Sequence, residues 1–286
     1  MKNIAIVIDS SAGLSAEEAR EKGWFFLPLL IHFDDKKFQD GIDLNSENLF
    51  DHFTIDSGSA KTSATPIGFA EQEFEKLSNE YKHVLVFPIS AHLSSQYSML
   101  ANLASDYPNI RVIHSVYIAS LIPVMIKIFE DLITRGKSFE EAASYIEKWN
   151  DSWKVTLMPK YNDYLVKGGR LHPAAATLAK LLQIVPMIAF ENGELIREGK
   201  GRTFNKTVYR AIDEKFEGQN IDQYDCIFLH SGNKELSTYV SYFEEKYGKK
   251  AYIQTLPNVI AIHTGPEAIV VIKSPKLTEK QKELFE

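Results

Sequence analysis

A two-domain α/β fold is predicted by the order of apolar segments in this chain, and three observations carry it. The first half alternates short apolar runs with amphipathic segments, the pattern of βαβ units around a mostly parallel sheet flanked by helices. The opening run, Lys2 to Ile8, is apolar without alternation and ends in Asp9-Ser10-Ser11, as a strand covered on both faces requires. Beyond Trp153 the texture changes, and Asn192-Gly193 between two apolar runs signals a hairpin and antiparallel pairing. The expected domains are residues 1–153, α/β with a parallel sheet, and residues 154–286, α+β with a mixed or antiparallel sheet.

The elements follow in order. Ser15 before Ala16-Glu17-Glu18 makes a capping box that opens a helix. Trp24 to Phe33 reads as one strand with Asp34 to Lys37 as its turn, and Asp43 to Phe53 as a polar excursion with a short helix. Gly68 to Tyr81 is helical, His83 to Ile89 a strand, Leu93 to Ser105 a helix and Arg111 to Ile113 a strand. Ile118, Leu121, Ile122, Met125, Phe129, Leu132 and Ile133 recur at helical spacing. Pro123 in that segment sits in the first turn or kinks the helix, and Ser138 starts a further helix toward Trp149.

In the second half, Val155 to Met158 is strand-like and Pro159 to Val166 a short helix, followed by Lys167-Gly168-Gly169-Arg170 and a small-residue helix, Pro173 to Leu182. Ile184 to Phe190 and Glu194 to Arg197 form the hairpin. Thr203 to Phe216 and Asn233 to Tyr247 are helices; Cys226 to His230, Ala251 to Thr255, Val259 to Ile262 and Ile269 to Ile272 are strands. The tail from Lys276 to Glu286 reads as a frayed helix.

Composition narrows the function classes. A net charge of −6 and a pI near 5.8 argue against nucleic acid as the main partner, because phosphate binding needs clustered Lys and Arg. The single cysteine, Cys226, excludes an intrachain disulfide and suits a reducing compartment. The run Ile4 to Ile8 is too short for a signal segment or a membrane span, so a soluble, cytoplasmic protein without stable membrane insertion is expected. Phosphate-loop, dinucleotide and hydrolase-elbow motifs are absent, and the scattered histidines lack metal-ligand spacing; no cofactor or metal is expected.

Three turns in the first half share one layout, a strand, a hydroxyl-rich loop and a helix: Asp9-Ser10-Ser11, Thr62-Ser63, and Ser90 to Ser95. In open α/β sheets ligands bind outside the carboxyl ends of the strands, where helix N-termini favour an anion. The apolar run Asn258 to Ile262, read as a strand, delivers His263 into the turn Thr264-Gly265-Pro266. Together these groups describe a neutral-to-positive cup for one small anion. Each Ser or Thr taken singly also fits a plain helix cap, and His263 a satisfied core histidine. Lys167-Gly168-Gly169-Arg170 offers two flexible glycines and a guanidinium, and Gly199-Lys200-Gly201-Arg202 repeats that texture; the pair suggests a docking surface.

Asp9-Ser-Ser-Ala-Gly-Leu14, Thr62-Ser63, Leu93-Ser94, Lys167-Gly-Gly-Arg-Leu171 and His263-Thr-Gly-Pro266 occur in the order of the DegV family, which the chain resembles over essentially residues 1–275. That resemblance implies a bacterial fatty-acid-binding protein of phospholipid metabolism, with one long-chain fatty acid held between two domains. It also implies a partner, the fatty acid kinase catalytic subunit, that phosphorylates the bound carboxylate, so the chain would be a carrier and not an enzyme. Carried over position by position, Thr62, Ser94 and His263 would bind the carboxylate, with Ser63, Ser95 and Thr264 beside them. Arg170 would lie near the head group or, with Arg202, on the kinase-docking face. The chain departs from the family pattern at Ala64-Thr65, Ser95, His114 and Glu267, the last adding a negative charge beside the expected site.

A fatty acid separates the binding problem into two parts. Burying about 15 methylenes at roughly 0.8 kcal/mol each contributes on the order of 12 kcal/mol gross. Ordering reduces that figure, and the carboxylate must still be matched by hydrogen bonds. The apolar faces of Ile118 to Phe129 and Leu178 to Met187 are candidates for the tail. The competing readings are a serine-dependent acyl hydrolase or transferase, with Ser94 as nucleophile and His263 as base, and a phosphosugar-type binding module.

Overall fold

The computed structural model of the protein describes residues 2–33, 36–44, 49–53, 60–169 and 184–286. The expected small-residue helix at 173–182, Arg170, His172, most of the second tail-lining segment and the turn residues Asp34 and Asp35 lie outside the described residues. The chain divides into two compact units: residues 1–149 with Pro257–Val259, and Asn150–Leu256 with Ile260–Glu286.

The first unit is built on a four-stranded parallel sheet in the order β2-β1-β6-β7, from Phe25–Leu27, Lys2–Asp9, Tyr81–Phe87 and Ile110–Val112. Alternation is unnecessary in β1 because both faces are covered. One face packs Ala5, Val7, Val84 and Val86 against Ala70, Phe74 and Leu77 of helix Ile67–Glu80 and against Leu100 and Leu103 of helix Gln96–Ala104. On helix Leu121–Thr134, Ile122, Val124, Met125, Ile126 and Phe129 are buried, and Pro123 falls in the first turn, where its missing N–H has no cost.

The segment Trp24 to Phe33 is two strands and not one. Pro28 cannot donate to a sheet ladder, so the chain leaves the parallel sheet after Leu27. It re-enters as β3 (Leu30–Phe33) in a separate antiparallel sheet with β4 (Lys36–Gln39) and β5 (Ala60–Ser63).

The second unit holds a six-stranded mixed sheet, order β10-β9-β8-β13-β11-β12, from Glu194–Gly201, Val185–Glu191, Lys154–Met158, Ile269–Pro275, Tyr224–His230 and Tyr252–Thr255. Its one parallel pair is β11 with β12. The hairpin forms as its turn dictates, with Asn192 and Gly193 at φ 47° and 86°, the left-handed pair that a two-residue loop requires. Helices Phe204–Phe216 and Leu236–Tyr247 bury Val208, Ile212, Phe216, Tyr239 and Phe243 against Met158, Met187, Phe228, Ile269 and Val271. Cys226 lies in this core, and burial pushes its thiol well above the usual range.

Two expectations are corrected here. Asn258 to Thr264 is a helix and not a strand, because a short apolar β-branched run carries no period that separates buried strand from buried helix. The tail is not frayed: Thr278 and Gln281 form a capping box, Leu277 and Leu284 are buried, and the Leu277 N–H donates to Asp225 Oδ2 at 2.7 Å.

Candidate functional site

In the first unit the hydroxyl turns are joined by Thr65, itself part of the Thr62 turn, and by Gln96, which motif reading passed over. Thr65, two positions after Ser63, is buried, and so is Gln96, directly after Ser95. The Thr65 N–H donates to Gln96 Oε1 at 2.9 Å, and Gln96 Nε2 donates to Thr65 Oγ1 at 2.8 Å. Thr65 Oγ1 in turn donates to the Pro28 carbonyl at 3.0 Å, in the corner between β2 and β3. This reciprocal amide clamp ties the Thr62 turn to the Ser94 turn.

Neither helix takes a side-chain cap from the residue directly before it. Helix Ile67–Glu80 begins behind Pro66 without a side-chain cap, and helix Gln96–Ala104 begins behind Ser95, whose side chain makes no cap bond. Strand alternation separates the other pair. Thr62 is half-buried, whereas Ser63 is exposed on the opposite face of β5, with its Oγ 2.9 Å from His32 Nε2. Ser94 is half-buried and accepts from the Gln96 N–H at 3.2 Å; Ser95 is exposed.

The third turn holds Asp9. Its carboxylate accepts from the Ser11 N–H at 3.0 Å, the Ser11 hydroxyl and the Ile89 N–H at 2.8 Å, so it ties the ends of β1 and β6. Burial pushes its carboxyl up to about 6 against those three donors. Ser10 Oγ accepts from the Leu29 N–H at 3.2 Å. The Asp9 turn is thus a brace for the sheet end, made from its own hydroxyls.

In the second unit His263 is buried in the last turn of helix Asn258–Thr264. Gly265 ends that helix at φ 80°, its N–H donating to the Ala261 carbonyl at 2.7 Å. Ser231 Oγ donates to the Gly265 carbonyl at 2.7 Å and accepts from the Ala268 N–H at 2.9 Å, so a buried serine fixes the turn. Thr264 turns its hydroxyl back to the Ala261 carbonyl.

Two close approaches set the imidazole. A Cβ built on Gly168 would stand 2.6 Å from His263 Nδ1, and one built on Gly265 would stand 2.5 Å from the Tyr164 ring. Helix Asn162–Gly168 therefore ends against His263, and Gly169 stops it at φ 65°. The expectation of two flexible glycines is corrected: Gly168 is a contact surface and Gly169 a helix stop.

Glu267 sits at φ 59°, a left-handed position that a residue without Cβ occupies most easily. Its carboxylate accepts from the Tyr161 hydroxyl at 3.3 Å and lies 4.0 Å from Lys160 Nζ, which also pairs with Glu235 at 3.5 Å. Its expected negative charge is thus partly neutralised within its own unit. Burial and the adjacent Glu267 hold the Tyr161 phenol above its ordinary range. Arg202 is exposed in the turn between β10 and helix Phe204–Phe216. Gly201 before it lies against Thr207, leaving no room for a side chain. Among the described residues no group of three His, Cys, Asp or Glu could hold a metal, and no helix is long and apolar enough to cross a membrane.

Thr62 and Ser94 thus stand in the first unit, and His263, Thr264 and Arg202 in the second. Gln96, Thr65 and Ser231 act through hydrogen bonds and Tyr164 through a ring contact at Gly265, and only Thr65 and Gln96 stand beside a motif in the sequence.

The comparisons with known proteins agree with this architecture. A family model described as "Uncharacterised protein, DegV family" matches residues 3–276. A DegV domain-containing protein of Mycoplasmopsis pulmonis is 45% identical over 270 residues, covering 94% of this chain and 93% of that one. Among solved structures, a fatty acid binding DegV family protein from Streptococcus agalactiae superposes with a TM-score of 0.83 at 23% identity, over 97% of this chain and all of that one. A stearic acid-binding protein from Eubacterium ventriosum superposes at 0.80 and 24%, over 96% of this chain and 98% of that one. At those identities the structures carry the fold, while the family match and the 45% relative carry descent. The chain belongs to the DegV family.

Proposed function

We propose that this protein binds one long-chain fatty acid, with its carboxylate held by Thr62, Ser94 and His263 and its acyl tail buried, and presents that head group to a fatty acid kinase. The observation that carries the reading is the Gln96–Thr65 clamp, which joins the two hydroxyl turns. Hydroxyl and imidazole donors suit a carboxylate because they match its charge without adding a cation that would hold it permanently. Structural neighbours that bind fatty acids, the DegV family protein of Streptococcus agalactiae and the stearic acid-binding protein, support the choice of ligand. Ser63, Ser95 and Thr264 have lesser roles in this reading: the first faces His32, the second is exposed, and the third bonds back to its helix. Arg202, with Arg170, is assigned to the kinase-docking face.

In this carrier role the chain supplies positioning and the kinase supplies catalysis. Denaturing extraction of purified protein, followed by mass spectrometry, tests the reading. A stoichiometric long-chain fatty acid, lost in Ser94→Ala and His263→Ala, is the expected result. A polar ligand, or turnover of a chromogenic ester that disappears in Ser94→Ala, overturns it in favour of the phosphosugar module or the acyl hydrolase.

A further inference from the structure

Two carboxyl groups are buried in the first unit, Asp9 and Asp40, and they differ in whether both oxygens are matched. Asp9 takes three hydrogen bonds, two from Ser11 at Oδ1 and one from the Ile89 N–H at Oδ2, so both of its oxygens are matched. Asp40, in the turn after β4, accepts at Oδ1 from Asn258 Nδ2 at 2.9 Å. Its Oδ2 is buried without a partner, and so is Oδ1 of the same Asn258. Both orphaned atoms are acceptors as long as Asp40 is ionised. An acid and an amide already joined by one N–H···O bond close a second, O–H···O, once the acid carries its proton, and that single proton satisfies both atoms.

We propose that in weakly acidic solution the folded protein binds a proton at Asp40, which pairs it with the Asn258 amide, and that the pair is a proton-dependent clasp at the start of the helix that Asn258 opens. Asn258 opens that helix, and Pro257–Val259 is the part of the C-terminal half that belongs to the first unit. The clasp therefore sets where the helix starts. Pro257 also packs against Gly13, whose added Cβ would meet it at 3.4 Å.

The electrostatics point the same way. Burial pushes Asp40 up to about 6, the Ser10 hydroxyl, the Asn258 amide and the Val259 N–H pull it down, and the charge of Asp9 pushes it up again. Asp9 is the ionisable group whose charge acts on it; its hydrogen-bond partners Ser10, Asn258 and Val259 are neutral. Loss of the proton sets a carboxylate oxygen against the Asn258 carbonyl and beside a second anion, and the clasp loosens. Asp40 touches no ligand in this scheme and acts as a positioning residue. The claim concerns one proton and stands whether or not the ligand is a fatty acid.

Asp40→Asn tests it, because an amide keeps the donor and acceptor pattern of the neutral acid at every pH. Stability from urea unfolding would be followed from about pH 4 to pH 8 in both proteins, with carboxyl 13C shifts of aspartate-labelled protein. The Asp40 proton alone should cost wild type about tenfold in its folding constant per pH unit over its window, near pH 4 to 6, with Asp9 adding its own share. Asp40→Asn should keep only the part of the slope that Asp9 contributes, be the more stable protein at about pH 8, and lack one resonance that titrates near 6. An Asp40 resonance titrating near 3.9, the ordinary value, or an Asp40→Asn protein less stable than wild type at about pH 8 overturns the proposal. If that variant does not fold, the infrared band of a protonated carboxyl in wild type decides. Its presence at about pH 5.5 and disappearance by about pH 8 is expected, and its absence at the lower pH refutes the assignment.

Discussion

The imidazole of His263 rests on the backbone of Gly168, so closely that a single methyl group at 168 would stand 2.6 Å from Nδ1. The end of one helix is thus the seat for a side chain at the end of another. Gly168→Ala must displace the ring, since the nearest atoms are ring nitrogen and carbon with no slack behind a buried residue. A loss of about 1–3 kcal/mol in stability is expected, as for overpacking elsewhere. Fatty-acid affinity should fall about tenfold or more, the equivalent of one lost hydrogen bond to a charged group. Calorimetric titration and thermal melts check both; unchanged affinity would detach His263 from the ligand.

Gln96→Leu removes both halves of the clamp and leaves the Thr65 N–H without its acceptor in a buried place, while the Thr65 hydroxyl keeps only Pro28. The cost should be about 2–3 kcal/mol. Lipid affinity should fall alongside, because the Thr62 and Ser94 turns lose their register. A variant that loses stability in urea but binds lipid with wild-type affinity would reduce the clamp to scaffolding.

Glu267 holds a left-handed backbone for which glycine carries no Cβ penalty. Glu267→Gly relieves about 1 kcal/mol of that strain. The contacts it gives up, with Tyr161 and Lys160, are partly exposed and contribute little. The variant should therefore be slightly more stable than wild type by chemical denaturation, whereas Glu267→Val should be clearly less stable. A destabilised glycine variant would mean that the Tyr161–Glu267–Lys160 group contributes more than an exposed pair does.

Arg202 is exposed at a turn and lies in the unit that carries His263. Arg202→Ala should leave lipid affinity within about twofold and lower kinase turnover of the bound lipid by roughly tenfold, mostly through slower association. Equal loss of lipid binding and turnover would merge the two roles.

The buried carboxyl pair gives the protein an unusual pH response. Both Asp9 and Asp40 are raised from 3.8 to about 6, so the folded state holds protons that the unfolded chain releases. Their contribution is complete below about pH 4 and is lost as pH rises through about 6, a decline where most carboxylates bring a gain. The two groups should differ in their amide variants. Asp9→Asn points an NH2 at backbone donors that need an acceptor, and should destabilise at every pH by about 2–4 kcal/mol. Urea midpoints across the pH range read both effects.

Much of the fold was legible because it rests on local chemistry. The Ser15 and Ser138 capping boxes, the Asn192-Gly193 turn and the unbroken apolar strand β1 are each decided by residues within a few positions of one another. Where the reading failed, the deciding partner was distant. Pro28 splits a strand because two different sheets receive its halves. Asn258 to Thr264 is a helix although its residues favour extended chain. Its start is met by Asp40, and its end by Ser231 and Gly168.

The sequence by itself determined the fold class, the family and the identity of the hydroxyl turns, since hydrophobic period and motif order are written in neighbouring residues. Only the tertiary structure decided which hydroxyls of those turns are committed elsewhere, what the glycine at 168 supports, and that an acid at 40 faces an amide at 258. Those are contacts between residues far apart in the chain, and burial, which sets the energy of each, exists only once the chain has folded.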